Sequence, residues 1–136
     1  MPEALLAYHS AFVALVVLAS LVMLQVLIAD YASIKAKHVP GMPVASGHTS
    51  FHFRSVRALG NTNETLGLFL LVFGLAVLFA ARAPWVNALV WAYVAGRAGH
   101  MLFYYLRQGL LRSLSFGLGL GATLGLLVLT LMAAAS

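Results

Sequence analysis

The chain has 136 residues, 62% of them hydrophobic and 8% charged, with a mean hydropathy of +0.98. Soluble domains carry about 25% charged and about 45–50% apolar residues, so the composition excludes a water-facing globule, and the lack of cysteine excludes a disulfide scaffold. Eight Lys and Arg against three Asp and Glu leave a net charge of +5. The bases sit mostly at the ends of apolar runs without aromatic interleaving, which suits membrane orientation and headgroup contact and argues against nucleic acid.

The first apolar run extends from about Leu5 to Ala29 and stops at Asp30. It is preceded by no basic segment and is too long for a signal-peptide core, so it is expected to be retained. Tyr8 and Tyr31 near its ends are expected to be interfacial anchors. A polar stretch with Lys35, Lys37 and the turn signal Pro40-Gly41-Met42-Pro43 follows. The second run covers about Val56 to Ala81, with Arg57, Asn61 and Glu64 in its opening turns. After the break Arg82-Ala83-Pro84, the third run covers about Trp85 to Tyr105 and carries Arg97 and His100. Residues 106–112 form a short connection, and the last run, about Leu114 to Ala135, has no charge.

Each run is long enough to span as a helix and lacks the alternation of barrel strands. The reading is an all-α integral membrane protein, a single four-transmembrane-helix bundle with spans of about 5–29, 56–81, 85–105 and 114–135. Lys35, Lys37, Arg54 and Arg57 flank the first connection, and Arg107 and Arg112 the third. The positive-inside rule therefore places connections 30–54 and 106–112 in the cytoplasm and both termini opposite. Gly117, Gly121 and Gly125 recur at four-residue spacing with Gly119 between, a pattern that permits close helix contact within or between subunits.

At about 100° per residue, Arg57, Asn61 and Glu64 share one helical face, as do Tyr93, Arg97, His100, Tyr104 and Arg107. Polar groups are costly in hydrocarbon, so both faces are expected to turn inward and meet. An ion pair of Glu64 with Arg57 or Arg97 could serve register alone, and Arg57 could snorkel to the headgroups. Yet Arg54, Arg57, Arg97, Arg107 and Arg112 face a single glutamate. The surplus suits a small ligand bearing carboxylates, with Glu64 available for an ammonium. The histidines lack metal-ligand spacing; His48 and His52 have no evident third ligand. No phosphate loop or nucleophile elbow is present.

These residues resemble a known family. Arg57-Ala58-Leu59-Gly60-Asn61-Thr62-Asn63-Glu64 is similar to the Arg-Ala-x-x-Asn-x-x-Glu signature of the MAPEG family, membrane-associated proteins in eicosanoid and glutathione metabolism. Arg54 matches an arginine that often precedes it, and Arg97-x-x-His100 with Tyr104 resembles the motif of the third span. Arg112-Ser113 resembles the pair that precedes the fourth. The resemblance implies a homotrimer, similar to microsomal glutathione transferases, with glutathione as cofactor. It implies Arg54, Arg57, Asn61, Glu64, Arg97, His100 and Tyr104 as ligands, and Arg112, alternatively Arg107, as the catalytic arginine that stabilises the thiolate. Phe53, Leu59 and Gly67-Leu68 depart from common family residues without removing a principal ligand. The implied activity is conjugation of lipophilic electrophiles or reduction of hydroperoxides, a role in detoxification as transferase or peroxidase. The competing readings are a non-catalytic membrane binding or assembly protein that holds anionic lipid, and a small transporter coupled through Glu64.

Overall fold

The computed structural model describes residues 3–135. A single turn, α1 (Glu3–Leu6), precedes four long helices: α2 (His9–Lys35), α3 (Phe51–Leu78), α4 (Ala83–Tyr105) and α5 (Gly109–Ala134). Helices suit this environment because they satisfy their own backbone without water. α2, α3 and α5 are long and apolar enough to cross a membrane. α4 is comparably long, but Asn87, Arg97 and His100 lower its hydropathy, and it is the helix that the others enclose most. The chain is thus an all-α, multi-pass membrane bundle.

The helix bounds differ from the expected spans in five places. The first run is broken at Ala7-Tyr8, and α2 continues past the exposed Asp30 to Lys35. α3 starts at Phe51, so the first connection shrinks to residues 36–50. α3 also closes at Leu78, short of Ala81. α5 starts at Gly109, which leaves only residues 106–108 between α4 and α5 and places Arg112 in the first turn of a helix.

Three helices close in the same way. Lys37, Ala80 and Arg107 have φ of 53°, 52° and 62°. Each left-handed residue lets the next amide reach back: His38 N to Ser33 O at 3.0 Å, Ala81 N to Ala76 O at 2.8 Å, Gln108 N to Phe103 O at 2.9 Å. This is the Schellman arrangement, in which glycine is the usual residue at the turn. Pro84 occupies the opening of α4, where its missing amide costs nothing.

The short connections make sequential helices antiparallel. The α2–α3 and α4–α5 connections therefore share one end of the bundle, and the α3–α4 connection lies at the other. There, the Tyr8 hydroxyl donates to Ala81 O at 2.5 Å, with Tyr8 buried. Tyr8 is therefore a tie between the N-terminal segment and the α3–α4 connection rather than an interfacial anchor, whereas Tyr31 is exposed. Asn87 of α4 adds a second tie, donating to Ala7 O at 2.9 Å and accepting from Ala11 N at 3.0 Å.

The core runs along the axis through Leu18, Phe69, Val72, Val86, Val90, Tyr93 and Leu126, with Ala11, Ala14, Ala76 and Ala122 where helices approach. Small residues at such contacts substitute for the hydrophobic driving force that lipid does not supply. Val16, Leu27, Leu71, Leu124 and Leu131 stay exposed on the outer faces, as lipid contact allows.

The most extensive contact is α4 on α5, and glycine sets its distance. A Cβ on Gly96 would stand 2.7 Å from Gly119 N and 2.9 Å from Ser115 O. The stripe read from the sequence is therefore divided: Gly119 and Gly125 pack inside against α4, while Gly117 and Gly121 have open space around them. Gly96, the partner on α4, was not part of the expected pattern.

Candidate functional site

Two adjoining clefts open at the end that carries the α2–α3 and α4–α5 connections. The first, of about 260 Å³, is lined by Asn61, His100, Tyr104, Arg112, Ser113 and Phe116. The second, of about 270 Å³, is lined by His48, Arg54, Tyr104, Arg107, Gly109 and Arg112. Tyr104 and Arg112 form the wall between them. The Arg112 guanidinium lies 4.7 Å from the centre of the Tyr104 ring, a cation–π contact that holds a long side chain in place.

Arg112 reaches this wall because α5 begins before it. Its amide donates to Gln108 O at 3.0 Å, which makes it a first-turn residue with its side chain only partly exposed. Arg107, by contrast, occupies the strained left-handed position after α4 and is exposed.

Arg97 is the most enclosed of the expected ligands, at 1% exposure. Nη1 donates to Asn61 Oδ1 at 3.2 Å and to Thr65 Oγ1 at 3.3 Å, and Nη2 makes a long contact of 3.5 Å with Phe116 O. Its guanidinium also lies 5.6 Å from the Tyr93 ring centre and 5.1 Å from that of Phe116. Gly119 leaves the space for it: a Cβ there would stand 3.0 Å from Arg97 Nη2. Arg97 lines neither cleft. It ties α3, α4 and α5 together behind the first cleft and fixes Asn61, which does line it.

Arg54 is likewise committed. Nη1 donates to His48 O and Thr49 O, both at 2.8 Å, so it pins the end of the first connection against α3. His48 carries that restraint into the second cleft. Its ring stacks on Tyr104 with centres 5.9 Å apart and 21° between planes, and meets the edge of Phe53 at 5.0 Å. His100 is buried at 3% exposure, and its Nδ1 has no hydrogen-bond partner among the described residues.

The two polar faces meet only in part. Asn61 touches Arg97, but Arg57 and Glu64 lie outside both clefts, 52% and 59% exposed, with 3.9 Å between Nη1 and Oε1. The cause is angular. The buried side of α3 is centred on Ala58, Thr62 and Phe69, about 100° or more around the helix from Arg57 at 100° per residue. Asn61 stands on the near edge of that side, and Arg57 and Glu64 beyond it. Neither Arg57 nor Arg97 forms a buried pair with Glu64.

The geometry adds Thr65, Ser113, Phe116 and His48 to the expected set. Thr65 follows Asn61 by four residues and Phe116 follows Arg112 by four, so the helical period carried a signal for both. His48 lies in a connection, where no period applies.

Chemically, the clefts offer guanidinium groups, an amide, a phenol, a hydroxyl and two imidazoles, with none of the chain's carboxylates among their linings. Such a donor set fits an anionic ligand with several carboxylates. No curated protein matches the chain. The model of the MAPEG family matches residues 5–132, nearly the whole length, and the chain belongs to the MAPEG family, membrane proteins of glutathione and eicosanoid metabolism.

Proposed function

We propose that the chain is a glutathione-dependent membrane enzyme that activates the glutathione thiol for conjugation of lipophilic electrophiles or reduction of hydroperoxides. The observation that carries this reading is the placement of Arg112 in the wall shared by both clefts, beside Tyr104 and with no carboxylate partner among the described residues. A guanidinium there favours a thiolate over a thiol by direct charge attraction. Asn61, His100, Tyr104 and Ser113 would orient the peptide, and the cations of the second cleft would meet its carboxylates. Arg97 acts through Asn61, and Arg54 through the connection it pins. Arg112 is favoured over Arg107 as the activating group because it lines both clefts.

A homotrimer is part of the proposal. Glu64 lies thirteen residues into α3, about 20 Å along the helix at 1.5 Å per residue, and it is exposed at that depth beside Arg57, which stands nearer the helix start. Charges facing hydrocarbon are costly, so another copy of the chain covering this face accounts for them. In that assembly Arg57 and Glu64 would complete the glutathione site from the subunit boundary. The basic end, with Lys35, Lys37, Arg54, Arg107 and Arg112, is placed in the cytoplasm.

The test is ultraviolet absorbance of thiolate as glutathione is added to purified protein in detergent, together with calorimetry. A saturable rise lost in Arg112→Ala and kept in Arg107→Ala supports the assignment; loss only in Arg107→Ala moves the activating group. No rise and no heat of binding refutes the glutathione reading. Glu64→Gln and light scattering of the detergent complex test the subunit boundary: a monomer that binds glutathione normally refutes it. The clustered basic side chains at the same end favour one other reading, a non-catalytic site for anionic lipid headgroups. Binding of anionic lipid without turnover would support it.

A further inference from the structure

We propose that His48 is the proton acceptor that converts the bound thiol to thiolate, an inference that rests on the glutathione reading above. Arg112 can stabilise the sulfur's charge, but a guanidinium has no lone pair with which to take the proton. The proton goes either directly to water or to another group at the shared wall, and a positioned group makes the transfer faster. The chain's carboxylates, Glu3, Asp30 and Glu64, line neither cleft. The remaining groups in the linings with a nitrogen lone pair able to take a proton are the two imidazoles, one in each cleft.

His100 is poorly suited. It is buried on the same helix face as Arg97, and both approach the Phe116 ring, at 6.1 Å and 5.1 Å. A proton on His100 would create a second buried cation there beside Arg97, which is costly.

His48 has the opposite surroundings. It is exposed, so a proton taken from the ligand can pass on to solvent. It shares the second cleft with Arg112, and the groups that face it there are Arg54 from α3, Tyr104 from α4, Arg107 from the connection and Arg112 from α5. Its position is built rather than incidental: Arg54 holds its carbonyl at 2.8 Å, and its ring rests between Phe53 and Tyr104. Its ring nitrogens have no hydrogen-bond partner among the described residues. In the step, the S–H bond breaks, the proton moves to a lone pair of the His48 ring, and sulfur keeps the bonding electrons as a thiolate facing Arg112. The imidazolium holds the proton in the thiolate complex and passes it to the product's leaving oxygen or carbanion, or to water when the product leaves.

The experiment follows thiolate absorbance and proton release together in weakly buffered detergent solution, with glutathione mixed rapidly into protein. Wild type should form thiolate while releasing less than one proton per thiolate, because His48 retains part of it. His48→Phe preserves an aromatic ring between Phe53 and Tyr104 but has no acceptor. It should form thiolate about 100-fold more slowly, in the range for loss of a general base, with one proton released per thiolate, and added imidazole should restore the rate. His48→Asn should behave alike. His100→Asn should weaken glutathione binding, through loss of a group that orients the peptide, while the protons released per thiolate formed stay at the wild-type number. Equal rates and proton counts in wild type and both His48 variants would overturn the role, as would transfer of the defect to His100→Asn. Absence of thiolate and of binding in wild type would instead overturn the glutathione reading beneath it.

Discussion

Gly96→Ala should damage the protein far more than the loss of two hydrogens suggests. A methyl at this position would meet Gly119 N at 2.7 Å, Ser115 O at 2.9 Å and Gly119 Cα at 3.0 Å, all backbone atoms that no rotamer change can move. The nearest contact is about 0.7 Å short of the 3.4 Å at which ordinary van der Waals contact begins, so α4 and α5 must separate. Overpacking of this kind costs about 1–3 kcal/mol, here near the upper end, while alanine in place of a mid-helix glycine returns about 1 kcal/mol. The net loss is about 2 kcal/mol, and separation also draws Phe116 and Gly119 from Arg97. Gly121→Ala on the same α5 meets nothing within 4 Å and should be neutral or stabilised by up to about 1 kcal/mol. Gly125→Ala, opposed only by the mobile end of Leu89 at 3.2 Å, should fall between them. Thermal unfolding of the three variants in one detergent, followed by helical circular dichroism, ranks them. A Gly96→Ala protein as stable as Gly121→Ala would refute the close α4–α5 approach on which the placement of Arg97 and Arg112 depends.

Gln25 is fully buried in α2, and both amide atoms lack a partner among the described residues. Gln25→Met, similar in volume, should therefore stabilise the bundle by about 1–2 kcal/mol in thermal unfolding; destabilisation would show that the amide is bonded in the membrane. Tyr8→Phe removes the hydroxyl that donates to Ala81 O and should cost about 1 kcal/mol by the same measurement. Arg107→Gly relieves a left-handed turn at φ 62°, worth about 1–2 kcal/mol, against about 0.5–1 kcal/mol of added backbone freedom. Its stability should stay within about 1 kcal/mol of wild type, and thiolate absorbance should persist, whereas loss of the absorbance would make Arg107 the activating group.

The number of helices and their apolar runs were legible because lipid demands long uninterrupted hydrocarbon-compatible segments. Their ends were less so: the close of the third span at Tyr105 matches α4 and that of the fourth lies one residue from α5's, but the others moved. Lys37, Ala80 and Arg107 occupy left-handed turns where glycine would have announced the stop, so three closures carried no compositional mark. The start of α5 was hidden for a related reason. Arg112 looked like a loop residue because charge usually lies outside a span, yet a basic side chain in the first turn can lie back along the helix toward the boundary. Placing Arg112 on α5 is what brings it over Tyr104.

The site was legible as a set of residues and less so as a geometry. Helical period places Arg57, Asn61 and Glu64 on a common face, but it cannot say which edge of that face a neighbouring helix covers. That edge is decided by how near α4 and α5 can come to each other and to α3, which depends on Gly96 and Gly119. Once that distance is short, Arg97 is pressed into the bundle and must find acceptors there. Asn61 and Thr65 supply them, while Arg57 and Glu64 are turned outward. Five arginines that look alike in sequence thus divide by what surrounds them. Arg97 and Arg54 bond to their own chain, and Arg57 pairs loosely at the surface. Arg112 and Arg107 have no carboxylate partner among the described residues, and of these two only Arg112 is held against an aromatic ring between two clefts. Arg97 and Arg54 keep their charge but commit donors to neutral groups of the chain, which is why chemistry is assigned to Arg112 rather than to the more deeply buried Arg97.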